Sequence, residues 1–210
     1  MLSVNCLGAE RERGCRFAEK FESATTVAKN RGTVTGIVPI DFGATFNGGA
    51  NYTTYPAAGV FNQPAVSIAV EFYTSRTAGL INEYIIDTTA GALYRINFNA
   101  ISDLVIWFNS VQAVFSPLAT YTPYWKIGRN VIVATGITGN NALYLNGVSI
   151  ATAATAWTVA DPATLYVGAR NAGLDGMIGK YTSLKIFAGP AAANLLTAQE
   201  ARDHWNNSVF

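Results

Sequence analysis

The sequence predicts an all-β chain: an antiparallel two-sheet sandwich, with a charged arm before it and one short helix at its end. Three observations carry this. Apolar and polar residues alternate with a period of two in several short segments, most cleanly Val66, Ile68, Val70 and Phe72 against Ser67, Ala69, Glu71 and Tyr73. Turn-forming clusters separate those segments at near-regular intervals. No helical period occurs between them, which favours a sandwich over alternating strand–helix units.

From the N-terminus, residues 1–16 read as an arm and residues 17–210 as one domain. Glu12 and Arg16 make a favourable i, i+4 pair for a short helix in the arm, although Gly14 weakens it. Phe42, Ala44 and Phe46 alternate with Asp41, Gly43 and Thr45. After the strand over Val66–Phe72, further strands are expected at Tyr84–Asp87, Leu93–Phe98, Leu104–Phe108, Val111–Phe115 and Asn130–Thr135. Asn47-Gly48-Gly49, Gly79, Ala90-Gly91, Thr138-Gly139-Asn140-Asn141 and Asp161-Pro162 punctuate them. Ala142–Ile150 is a hairpin about Asn146-Gly147, a dipeptide that accepts positive φ at both central positions of a type I′ turn. In that register Leu145 faces Val148, Leu143 faces Ile150 and Tyr144 faces Ser149. Leu165–Val167 and Thr182–Phe187 complete the strands. Thr197-Ala-Gln-Glu200 is a capping box opening a helix through about Trp205, with Trp205 its anchor on the sandwich.

The chain has 210 residues, of which 12% are aromatic and 13% charged, with a net charge of +1. Residues 1–31 hold six Lys/Arg and four Asp/Glu, and residues 32–210 hold eight basic and nine acidic residues. A body this neutral argues against a nucleic-acid groove, which needs clustered basic charge. It suits neutral glycans, neighbouring subunits, or simply polar outer faces. The uncharged stretch between Arg129 and Asp161 is broken by turn residues, so no membrane span is expected. Glu10, Arg11, Glu12 and Arg13 stand where a secretory signal would need an apolar run. Cys6 and Cys15 read first as free thiols, with a small disulfide loop or a cross-link between copies as alternatives.

The order of several motifs resembles the concanavalin A-like lectin/glucanase superfamily, in its laminin-G-like branch of jelly-roll domains in phage and bacterial surface proteins. The carriers are Phe46-Asn-Gly48 followed by Tyr52, Val66-Ser-Ile-Ala-Val-Glu-Phe72 and Ala142-Leu-Tyr-Leu-Asn-Gly-Val148. They continue in Leu165-Tyr-Val-Gly-Ala-Arg-Asn171, Gly179-Lys180 leading to Leu184-Lys-Ile-Phe187, and Leu196-Thr-Ala-Gln-Glu200. The resemblance covers roughly Phe17 to Trp205 and implies two packed sheets, one of them concave. It implies no reaction, because the fold hosts lectins, glycosidases and structural modules.

Relatives that hydrolyse sugars carry paired acids on one strand, about 5–5.5 Å apart for retention. Glu83 and Asp87 are expected to share a face but lie about 13 Å apart at strand rise, with Ile85 between. Glu71 and Asp103 stand alone, so no catalytic residue and no enzyme activity is expected. His204 is expected to face solvent. Relatives also bind calcium through rim acids after the Phe-Asn-Gly element. Here that position reads Gly49-Ala50-Asn51, and Asn51 with a distant Asp175 makes at most a weak calcium site. No other cofactor is expected, and one His with two Cys argues against a zinc site. Aromatic rings are the better lead: Tyr121, Tyr124 and Trp125 in one segment, Trp157 after the hairpin, and Tyr52 and Tyr55. Such rings stack on sugars or anchor protein interfaces, while core packing is the plainer expectation for any one of them.

The favoured expectation is a non-enzymatic decoration protein on the surface of a phage-like virion. Its partners would be its own copies or other virion proteins through the charged arm, and possible glycans. The alternative is a free-standing carbohydrate-binding adhesion module, with the cell surface as its setting.

Overall fold

A computed structural model describes residues 14–20, 33–35, 38–40, 43–47, 51–89, 93–170 and 175–207. Its strands run β1 (Cys15–Lys20), β2 (Thr33–Thr35), β3 (Val38–Ile40), β4 (Gly43–Asn47), β5 (Tyr52–Pro56), β6 (Ala65–Thr74) and β7 (Glu83–Thr88). They continue as β8 (Tyr94–Phe98), β9 (Leu104–Phe108), β10 (Val111–Ser116), β11 (Gly128–Ile137), β12 (Asn140–Leu145), β13 (Val148–Ala153), β14 (Thr164–Val167) and β15 (Ile178–Gly189). A single helical turn, α1 (Leu118–Tyr121), precedes β11, and α2 (Ala198–Asn207) follows β15. None of the described helices is long and apolar enough to cross a membrane.

The strands form two antiparallel sheets. The first runs β13-β12-β11-β6-β15-β4-β3, with β1 also paired to β15; the second runs β10-β9-β8-β7-β14-β5-β2. Val66, Ile68, Val70 and Phe72 enter the core between them, as alternation requires. The opposite face of β6 is buried too. Ala69 packs there with Val131, Val133 and Phe187, beneath Leu196 and Ala201 at the start of α2. A second apolar layer on the back of the first sheet explains why Ser67 and Glu71 are covered as well.

The Asn146-Gly147 turn has φ of 52° and 79°, the type I′ combination expected. Leu145 pairs with Val148 and Tyr144 with Ser149, but a bulge sets Leu143 opposite Ala151 instead of Ile150. The extra residue lets Ile150 reach the core. Asn146 also ties the turn to its surroundings. Its Oδ1 accepts from Val131 N at 2.8 Å, and its Nδ2 donates to the Tyr124 carbonyl at 2.7 Å and to Asn130 Oδ1 at 3.0 Å.

The capping box is formed: Glu200 N donates to Thr197 Oγ1 at 3.2 Å, and Thr197 N to Glu200 Oε2 at 2.8 Å. At the far end Arg129 holds the helix. Its Nε donates to Glu71 Oε1 at 2.8 Å, its Nη2 to the His204 carbonyl at 3.0 Å, and its Nη1 to the Trp205 carbonyl. Its guanidinium also lies 4.8 Å from the Trp205 ring centre. One side chain thereby satisfies terminal carbonyls and places a positive charge at the negative end of the helix.

Two expectations are corrected here, those for Cys15 and His204. Strand β1 begins at Cys15 and pairs with β15, and residues 1–13 of the expected arm lie outside the described residues. Cys15 is disulfide-bonded, not a free thiol; Cys6 lies outside the described residues. His204 is 6% exposed, not solvent-facing, because helical spacing puts it with Ala201 and Trp205 on the side against the sheet.

Candidate functional site

The structure sorts the six aromatic candidates by burial. Tyr55, Tyr121, Trp125 and Trp157 are core residues. Trp125 Nε1 donates to the Arg76 carbonyl at 2.9 Å, and Trp157 Nε1 to Asn141 Oδ1 at 2.8 Å. Tyr121 Oη donates to the Ser102 carbonyl at 2.7 Å, and burial pushes its phenol up to about 12. Tyr121 and Trp125 are brought together, with ring centres 6.2 Å apart, but as a plug under the loops at one end of the sandwich. Tyr55 meets Phe17 edge-on at 5.0 Å. Tyr124 is 37% exposed and Tyr52 half-buried, so these two keep an accessible ring.

Tyr52 belongs to a larger constellation on the outer face of the second sheet. Strand register sets Gln112 of β10 opposite Trp107 of β9, and Trp107 opposite Arg95 of β8. Arg95 reaches Asp87 of β7; Asp87 pairs with Tyr166 of β14, and Tyr166 with Thr54 of β5. The ring centres of Tyr166 and Tyr52 are 5.9 Å apart. Phe115 of β10, 46% exposed, pairs with Val105, two residues from Trp107 on β9. Polar and aromatic side chains therefore form one row from strand to strand.

Hydrogen bonds fix the row. Trp107 Nε1 donates to Asn97 Oδ1 at 3.1 Å, which sets the tilt of a half-buried indole. Arg95 Nε and Nη2 donate to the two oxygens of Asp87 at 2.9 and 3.1 Å, a bidentate pair with a fully buried carboxylate. The same guanidinium lies 4.9 Å from the Tyr84 ring centre, and Arg170 lies 5.8 Å from it. Thr88 N adds a 2.9 Å bond to Asp87 Oδ1.

Sequence reading looked for accessible rings in loops and missed Trp107, Arg95 and Tyr84. The signal was strand phase. Tyr94, Ile96 and Phe98 are core residues, so Arg95 and Asn97 between them face out, and pairing carries Trp107 to that side.

The acids are also placed differently from expectation. A bulge between Tyr84 and Ile86 breaks the phase of β7, so Ile85 and Ile86 are both in the core. Glu83 therefore faces inward, opposite core residue Phe98, while Asp87 faces outward. They do not share a face. Glu83 pairs with Arg76, Glu71 with Arg129, and Asp103 Oδ1 accepts from Leu118 N at 3.3 Å. Among the described residues no three His, Cys, Asp or Glu converge as a metal site.

Burial raises the Glu83 carboxyl above its ordinary 4.5, and the Arg76 charge opposes this without cancelling it. The unfolded chain loses this proton at the ordinary value, and the folded chain keeps it to higher pH. The folded state thus holds more protons across that window, and stability falls as pH rises through it. Glu83→Gln is expected to raise Tm at neutral pH, with the gain disappearing below pH 4.5. Thermal melts of both forms across the pH range check this.

No protein-family model matches the sequence, and no curated protein matches it. Solved structures do match. Domain 4 of AbnA, a GH43 extracellular arabinanase from Geobacillus stearothermophilus, in complex with arabinotriose, is similar with a TM-score of 0.64 at 16% identity, over 90% of this chain and 97% of that one. Trypanosoma rangeli sialidase in complex with sialic acid gives 0.60 at 16% identity over 84% of this chain. This chain spans only 29% of that sialidase. The botulinum neurotoxin serotype C1 binding domain gives 0.57 at 16% identity, over 85% of this chain and 46% of that one. The chain thus shares its β-sandwich fold with the arabinanase domain and with parts of the sialidase and the toxin binding domain.

Proposed function

We propose that this protein is a carbohydrate-binding module, of the laminin-G-like jelly-roll kind, whose working surface is the outer face of the second sheet. One observation supports the reading above others: the half-buried Trp107, locked by Asn97, stands in a row with the Arg95–Asp87 pair. An indole face offers a platform for the apolar face of a sugar ring, and planar polar groups beside it suit adjacent hydroxyls. The first sheet carries its helix on the back. Among the described residues no helix crosses the second. The reading assigns no reaction, since the four acids singled out are committed to Arg76, Arg95, Arg129 and a backbone amide.

The test is binding to a broad glycan array, followed by calorimetry, with arabinotriose as the first soluble probe. Trp107→Ala should weaken binding about tenfold or more, as loss of an aromatic anchor does, and leave the fold intact. Silence on the array, or Trp107→Ala binding like the parent, removes the proposal.

A second reading, a non-enzymatic decoration protein on the surface of a phage-like virion, draws on a different feature. Phe46, Tyr73, Ile127 and Ile178 line an open groove of about 440 Å³ at one end of the sandwich, with Ile127 69% exposed. Exposed apolar surface of this kind suits a protein partner.

A further inference from the structure

We infer that the outer face of the second sheet grips the interior of an extended, uncharged glycan chain lying across the strands, not a chain end and not an acidic sugar. The inference rests on the carbohydrate-binding reading and specifies the ligand class. Its first support is the spacing of the rings. Trp107 on β9 and the Tyr166–Tyr52 pair on β14 and β5 are separated by β8 and β7. At about 4.8 Å per strand, Trp107 and Tyr166 lie roughly 14 Å apart. One sugar ring does not bridge two such platforms; a chain of several units does.

The ends of the row are the second support. It begins at Gln112 on β10, one edge of the sheet, and runs through Thr54 on β5, whose outer neighbour β2 is the other edge. A track that passes from edge to edge lets a polymer enter and leave on both sides, whereas recognition of a terminus needs a closed pocket.

Charge is the third. Arg95 gives two N–H groups to Asp87, and Arg170 Nη1 lies 3.5 Å from Asp175 Oδ2, so each cation near Tyr84 has its own acid. Because the fully buried Asp87 already neutralises Arg95, a sugar carboxylate finds no net positive charge there to offset its own desolvation. A neutral hydroxyl instead accepts from the rest of the guanidinium fork and leaves the ion pair whole.

The test is calorimetric titration of the intact protein with neutral xylan, mannan and cellulose oligomers, from disaccharide to hexasaccharide. Each oligomer is also titrated with its reducing end converted to the alditol, and oligogalacturonate serves as the acidic comparison. Affinity is expected to rise with length and then level off, unaffected by end reduction and nearly unaffected by salt. Trp107→Ala and Tyr166→Ala should each lower hexasaccharide affinity about tenfold or more, with far smaller losses on the disaccharide. Disaccharides binding as tightly as hexasaccharides, loss of binding on end reduction, or tighter, salt-sensitive binding of oligogalacturonate overturns the inference and leaves the carbohydrate-binding reading standing. Absence of binding to any glycan removes both.

Discussion

Arg129→Ala is expected to lower the folding free energy by about 3 kcal/mol and to loosen α2 from the sheet beneath it. The substitution strips the 5%-exposed Glu71 carboxylate of its partner, uncaps the His204 and Trp205 carbonyls, and removes the cation from the Trp205 ring. Once loosened, α2 uncovers the apolar patch of Ala69, Val131, Val133 and Phe187. Urea denaturation measures the loss, and hydrogen exchange locates it, with α2 amides exchanging faster than those of β6 and β11. Arg129→Lys keeps the charge but not the fork, so an intermediate loss is expected. Unchanged protection of α2 in Arg129→Ala would contradict this account of how the helix is held.

Tyr94→Ala is expected to cost about 4 kcal/mol, the upper range for deleting a buried ring. Tyr94 is fully buried, stacks on Phe61 with ring centres 4.4 Å apart, and meets Phe108 and Trp157. Its hydroxyl lies 3.1 Å from the Phe61 carbonyl and 3.2 Å from that of Ala160, and it accepts from Ala160 N at 3.2 Å. One phenol thus joins two loops to β8. Tyr94→Phe keeps the ring and strands those backbone groups, so a loss of about 2 kcal/mol is expected. Burial pushes the phenol up from 10.0 to about 12. The unfolded chain ionises it near the lower value, so its contribution to stability falls as pH climbs through that window. Chemical denaturation of both variants, with ultraviolet titration of the parent, checks all three statements.

Most of the architecture was legible because its determinants are local. Asn146-Gly147 fixes a turn by its own dihedral preferences, and Thr197 with Glu200 fixes a helix start three residues apart. The period-two segment of β6 names its core face without outside help. Phase beyond a bulge was not legible in this way. The adjacent Ile85 and Ile86 both enter the core, which a regular strand cannot arrange, and the resulting slip sends Glu83 and Asp87 to opposite faces. The same difficulty displaced Leu143 from Ile150.

Which candidate rings close the core was not legible for another reason. A sandwich must close its open ends, and Tyr121 and Trp125 do so from a segment whose composition reads as loop. Trp107 instead lies within a strand whose other residues are apolar, and only its pairing with Arg95 discloses that it faces outward. The site depends on partners distant in sequence, and a single-segment pattern does not contain them.

The position of α2 has a practical consequence for presentation. It rests on the back of the first sheet, whereas the row through Trp107 and Arg95 occupies the opposite exterior, on the second. A tether joined beyond residue 207 would leave from the rear of the sandwich. Immobilised by that tether, the protein would turn its aromatic row towards the surrounding solution, free of the anchoring support.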